Sequence, residues 1–272
     1  MLLHTGAEAS IERCDFHDNV AEVGGAIFAE KAQSDINGCG FHSNFAEVGG
    51  AIFTDEGEAD ITSSTKFECN GAIFGGAMLN FFGDIDISDG EFTNNNAFAG
   101  GALFIDGANT NIDDSFFDQN SGFGGGAIAY FDFERNGTHA INDTVFQNNT
   151  ALGGLGPDVI DESPEDINCG TGFGNCFCDA IPASLPAITT NEPNTTCSND
   201  GVGSGCSGCI QTPLSTCAPS SRAGTATRAG SWSNQKMDMD DMHAMIEGKM
   251  KSREGITGVM KEKMDTAMKK KG

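Results

Sequence analysis

The stretch FHDNVAEVGGAIF, Phe16 to Phe28, returns 25 residues later as FHSNFAEVGGAIF, Phe41 to Phe53. Only Asp18 and Val20 change, to Ser43 and Phe45. The leading Phe recurs at Phe16, Phe41, Phe67, Phe92, Phe117 and Phe146, in steps of 25, 26, 25, 25 and 29. Three residues on stands Asn19, Asn44, Asn70, Asn95, Asn120 or Asn149. Gly-Gly-Ala-aliphatic follows in five copies, from Gly24-Gly25 to Gly125-Gly126. An Ile precedes every Phe by five or six residues: Ile11, Ile36, Ile61, Ile87, Ile112 and Ile141.

A period near 25 residues is too short for paired helices and fits one turn of a β-solenoid. Runs such as GGAIF and ADIT suit strands of a few residues, bounded by Gly, Asn and Asp. Stacking coils at about 4.8 Å aligns equal positions into columns. Phe and Ile columns then fill the interior. The six Asn amides are expected to form a ladder of hydrogen bonds from coil to coil. Gly-Gly permits a tight bend and close approach. The reading is all-β: a parallel β-helix of about six coils over residues 1–158, roughly 29 Å long at that spacing. The long last step places an insertion within Tyr130–Ala140, and Leu155-Gly156-Pro157 reads as the end of the rod.

The pattern F-x-x-N-x-A-x-x-G-G-A-I resembles the repeat of the polymorphic outer membrane protein family, over about Ile11 to Asp158. The resemblance implies a right-handed parallel β-helix of the pectin-lyase-like kind, displayed at a cell surface. No alternating ten-residue strands follow it to build an outer-membrane barrel.

Beyond the repeat, residues 159–230 are rich in Cys, Pro, Ser and Gly and read as a linker or small disulfide module. Seven of the ten cysteines lie from Cys169 to Cys217. Cys206-x-x-Cys209 has metal-like spacing without histidines, so disulfides are the preferred reading over zinc. Cys14 and Cys39 share a column, as a disulfide or as stacked free thiols. Residues 231–272 are rich in Met and Lys and read as a helical or disordered tail. Copper binding by its methionines and His243 ranks well below that reading.

The net charge is −24. From Arg222 onward 11 Lys+Arg face 7 Asp+Glu, leaving 4 basic and 32 acidic residues before it. So acidic a body argues against nucleic-acid binding. No apolar run is long enough to span a membrane as a helix. Sequons at Asn136, Asn142, Asn148 and Asn194, with the clustered cysteines, point to an extracellular or cell-surface setting and to candidate glycosylation there. The start Met1–Cys14 lacks the features of a signal peptide, from which a truncated start is expected.

No catalytic residue, metal site or cofactor is assigned. Glu30, Asp55 and Asp106 share a column near Asp113-Asp114, but Phe81 interrupts it. The basic residues Arg13, Lys31, Lys66 and Arg135 fall in different columns. The calcium motif G-G-x-G-x-D and a Thr-x-Thr array are absent. The expected role is a non-catalytic structural or adhesive module, part of a larger secreted protein, meeting carbohydrate or protein ligands on a cell surface. The alternative is a polysaccharide-active lyase or glycoside hydrolase on the same fold. Function should lie in what varies between copies.

Overall fold

A computed structural model describes residues 1–131, 137–156, 158–161, 176–177, 188–190 and 217. All of them belong to the unit Met1–Ser233; none lies in Asn234–Gly272. The tail, Asn136, Asn194, Arg135, Cys206, Cys209 and His243 therefore lie outside the described residues.

The described residues form an all-β solenoid in which each strand pairs in parallel with its copy one coil away. Sheet 1 holds eight strands: Leu2–Leu3, Ile27–Glu30, Ile52–Asp55, Met78–Phe81, Leu103–Asp106, Ile128–Phe131, Val159–Asp161 and Ile188–Thr190. Sheet 2 holds six: Glu8–Glu12, Gln33–Asn37, Glu58–Thr62, Asp84–Ser88, Asn109–Asp113 and His139–Ile141. Sheet 3 holds seven, from Asp15–His17 to Val145–Gln147 and Cys176–Phe177. Isolated bridges such as Val20↔Phe45 and Val23↔Val48 join the corner between sheets 3 and 1.

Side chains alternate across each strand, and the inward set forms the core. Phe16, Phe41, Phe67, Phe92, Phe117 and Phe146 stack with ring centroids 4.7 to 5.0 Å apart. The Ile column is in strict register, Ile11↔Ile36↔Ile61↔Ile87↔Ile112↔Ile141. Identical shapes at one coil spacing pack without voids.

The Asn column forms a continuous ladder at the turn after sheet 3. Nδ2 of Asn19 donates to Oδ1 of Asn44 at 2.8 Å, and each later Asn donates to the next at 3.0 Å, up to Asn149. From Asn44 on, the second amide hydrogen goes to a Phe carbonyl of the previous coil, as from Asn70 to Phe41. Each Oδ1 also accepts the backbone N–H of the preceding Asn, as Asn95 accepts from Asn70 at 3.0 Å. All four amide valences are thereby used in a site where water is excluded. The ladder ends on a carboxyl: Asn149 donates to Oδ1 of Asp158 at 2.9 Å.

A second column escaped the sequence reading. Cys14, Cys39, Thr65, Gly90, Ser115 and Thr144 stand at the turn between sheets 2 and 3. Where the position above carries a side chain, the backbone N–H donates to it: Cys14 to Cys39 Sγ, Cys39 to Thr65 Oγ1, Gly90 to Ser115 Oγ and Ser115 to Thr144 Oγ1. Cys14 and Cys39 are free thiols within this column. Burial is the largest cause that raises the Cys39 pKa, keeping it a thiol.

The two glycines of each repeat answer different demands. A Cβ on Gly100, which has φ 62°, would lie 2.0 Å from the carbonyl oxygen of Leu103 in its own coil. A Cβ on Gly101 would lie 2.0 Å from the carbonyl oxygen of Gly126 in the next coil. Length changes are absorbed at corners. The 26-residue step puts Ser63 and Ser64 at one turn, both with positive φ. The four-residue excess lies between Phe131, paired with Asp106, and His139, paired with Thr110.

The rod does not end at Leu155-Gly156-Pro157. Between Ser121–Gly124 and Thr150–Leu155 the register shifts, so that Gly122 faces Ala151 but Gly124 faces Leu155. This bulge displaces the motif by two residues. Gly156, with φ 53°, takes the place of the first Gly, and Val159 pairs with Ile128 in the aliphatic column. The backbone pairing of the preceding coil is kept, and Ala127 and Ile128 both donate to the Asp158 carbonyl at 2.9 Å. Val159–Asp161 then pairs with Ile188–Thr190, so pairing continues past residue 158 into a partial seventh coil.

Candidate functional site

With the interior given over to scaffold, chemistry must come from the outward columns. On sheet 3 these set basic side chains against acidic ones. Lys66 lies 2.5 Å from Glu91, and His42 faces both Asp15 at 3.6 Å and Glu68 at 3.4 Å.

Sheet 2 does the reverse. Its outward positions place Asp35, Asp60 and Asp86 in one column and Glu58 and Asp84 in the next, on neighbouring strands in register. Glu8, Glu12 and Asp113 extend the same face, and no Lys or Arg stands in these strands. Like charges one strand apart repel. Glu58 and Asp60 register this: each carboxyl is held above its ordinary range, first by partial desolvation and then by acidic neighbours. Asp60 and Asp86 are the strongest charged influences on Glu58 and Asp60 respectively.

Among the described residues, the cations at the corners of sheet 2 are engaged, Arg13 with Glu12 and Lys31 with Glu56, both at 3.4 Å. At the upper end the charge fades. Asn109 donates to Asp84 at 2.8 Å, and Asn111 and Ala140 continue the central column. A shallow depression of about 500 Å³ lies here, bounded by Glu58, Asp84, Asp86, Asn109 and Thr138.

The column Glu30, Asp55, Asp106 does not assemble into a site. Asp55 and Asp106 each pair with Phe81, which separates them by two coils, or about 9.6 Å. Glu30 instead faces His4 at 3.5 Å. Asp113 and Asp114 belong to sheet 2 and its corner, away from that column. Among the described residues no group of three His, Cys, Asp or Glu side chains is placed to hold a metal ion.

No protein-family model, curated protein or solved structure matches the chain. No helix among the described residues is long and apolar enough to cross a membrane.

Two sequons fall on described residues, both beside inward columns. Asn148 is exposed at a turn with φ 52°, and its Nδ2 donates to Asp118 at 2.9 Å. Asn142 is half-buried, and its sequon Thr144 is buried, donating to the Asn142 carbonyl at 2.7 Å. One disulfide joins Cys69, at the turn after sheet 3, to Cys217, with Cα atoms 5.6 Å apart. Sequence spacing gave no signal for that pair, which is separated by 148 residues.

Proposed function

We propose that the chain is a structural or adhesive β-helix module of a surface or extracellular protein, with the outer face of sheet 2 as its contact surface. The observation that carries this reading is the repetition of one carboxylate column, Asp35, Asp60 and Asp86, over consecutive coils. A repeated array offers many equal, weak contacts, which suits a polymeric or multivalent ligand rather than one small substrate. Its chemistry selects cationic ligands: basic protein segments or amine-bearing carbohydrate. The resemblance to the polymorphic outer membrane protein repeat fits such display. The Cys69–Cys217 disulfide and the exposed sequon at Asn148 support an oxidising, extracellular setting.

The test is binding of the full chain to immobilised polylysine and chitosan at low and high salt. Retention at low salt that weakens in an Asp35→Asn, Asp60→Asn, Asp86→Asn variant supports the proposal. Equal retention of both proteins overturns it.

One observation favours a second reading, a glycoside hydrolase. The Glu58 and Asp60 carboxyls are both held above their ordinary pKa range, first by desolvation and then by acidic neighbours, and Asp60 lies one strand from Asp35 and Asp86, about 4.8 Å away. That separation approaches the 5 to 5.5 Å or so of retaining enzymes. Against it stands the structural source of the shifts, which mutual repulsion and partial desolvation explain without a substrate.

A further inference from the structure

The core of the rod is apolar along its Phe and Ile columns, but polar side chains are buried where sheets 1 and 2 meet. Two inward columns face each other there. One runs along sheet 1 through Ala29, Thr54, Asn80, Ile105 and Tyr130. The other runs along sheet 2 through Ser34, Ala59, Ile85, Thr110 and His139. Their contact is direct in the sixth coil, where the Tyr130 and His139 ring centroids lie 4.1 Å apart. Register carries that pairing down the rod, so Ile105 stands opposite Thr110, Asn80 opposite Ile85 and Thr54 opposite Ala59.

Parallel pairing in register gives the two columns similar room in every coil. The sixth coil fills it with two rings, and the fifth with Ile105 and Thr110. The third has only Thr54 and Ala59, with Ala29 and Ser34 below them. Side chains this small leave room beside Thr54, on the lower side of the Asn80 amide.

The same place carries unmet polar groups. Thr54 and Asn80 are neighbours in register, 1% and 0% exposed. Among the described residues nothing hydrogen-bonds to Oγ1 of Thr54, or to Oδ1 or Nδ2 of Asn80. Their own backbone is taken up elsewhere, because Met78–Phe81 pairs on both sides, with Ile52–Asp55 and with Leu103–Asp106. Folded interiors rarely leave such groups without a partner. A buried water needs a polar site, room for one molecule and several hydrogen-bonding neighbours. The Thr54 hydroxyl can donate and accept, and the Asn80 amide brings an acceptor and two donors.

We infer that water is held inside the rod between the third and fourth coils, bridging the Thr54 hydroxyl and the Asn80 side-chain amide. It fills the room that Thr54 and Ala59 leave, and it satisfies an amide in a column that carries Ile105 one coil on.

The test is NMR on the full chain. The methyl hydrogens of Ala59 are bound to carbon and do not exchange with solvent, so an Overhauser cross-peak from water to that methyl reports a water lodged beside it. Wild type should show this cross-peak, and a second one to the Asn80 Nδ2 hydrogens. Asn80→Ile, which copies the residue of the next coil, should lose the Ala59 cross-peak while the β circular dichroism persists. Thr54→Val keeps the shape of the native side chain, removes only the hydroxyl and should weaken the same cross-peak. Its absence from folded wild type, with Thr54 and Asn80 bonded directly to each other, would overturn the inference. So would an Ala59 cross-peak that stays unchanged in both variants, or in Thr54→Val alone where Asn80→Ile does not fold.

Discussion

Asn70 donates its side-chain amide to Oδ1 of Asn95 at 3.0 Å, and its backbone N–H reaches the same oxygen at 3.0 Å. One oxygen thus holds two buried donors from the coil below. Asn95→Ala would leave both without an acceptor and the Phe67 carbonyl without its donor. Unfolding in urea should show a loss of about 2 to 4 kcal/mol. Asn19→Ala, half-buried at the first rung, should cost well under half of that.

Gly101 and Gly6 separate packing from backbone strain. Gly101→Ala pushes a Cβ to within 2.0 Å of the Gly126 carbonyl, while nothing lies within 4 Å of a Cβ on Gly6. Gly6 has φ 76°, so Gly6→Ala should cost only about 1 to 2 kcal/mol, the strain of a left-handed residue. Gly101→Ala should prevent soluble expression or lower the melting temperature far more. Thermal scans of the two variants test the difference.

The acidic face of sheet 2 should make stability depend on pH in a direction opposite to that of salt-bridged carboxylates. Glu58 and Asp60 have folded values raised above their unfolded ones, by desolvation first and acidic neighbours second. Their contribution is therefore full below the unfolded range near pH 4 and is lost as pH rises through the folded values. Asp60→Asn should raise the melting temperature at pH 7 by a few degrees and have no effect below about pH 3. Added salt should reduce the gain by screening Asp35 and Asp86.

The disulfide closes a long loop of chain. Cys69→Ser should lower the stability of the oxidised protein by about 2 to 5 kcal/mol, and dithiothreitol should give the wild type a similar loss. Dithiothreitol should then have little further effect on the Cys69→Ser variant.

Much of this architecture is legible in the chain because a solenoid repeats its demands. Phe, Ile, Asn and each glycine of Gly-Gly serve one geometric need per coil, and five or six copies make the need visible. The second polar column was hidden because Cys, Thr, Ser and Gly share no obvious chemical class, although Cys39, Thr65, Ser115 and Thr144 all accept a backbone N–H. The end of the rod was misplaced because the register shift near Gly124 moved the motif past Pro157 without altering its parts. The sheet 2 face was legible only as scattered acids; register was needed to show that Asp35, Asp60 and Asp86 are neighbours. The Cys69–Cys217 link joins positions with no local pattern in common.

The central claim is that the repeated acidic face holds a ligand without transforming it. Its most direct test is prolonged incubation of the full chain with pectin, alginate and chitosan, with released oligosaccharide measured by chromatography. The account predicts that each polymer keeps its length and that chitosan is retained by the protein. Oligosaccharide that appears with the wild type and disappears with Glu58→Gln or Asp60→Asn would contradict it.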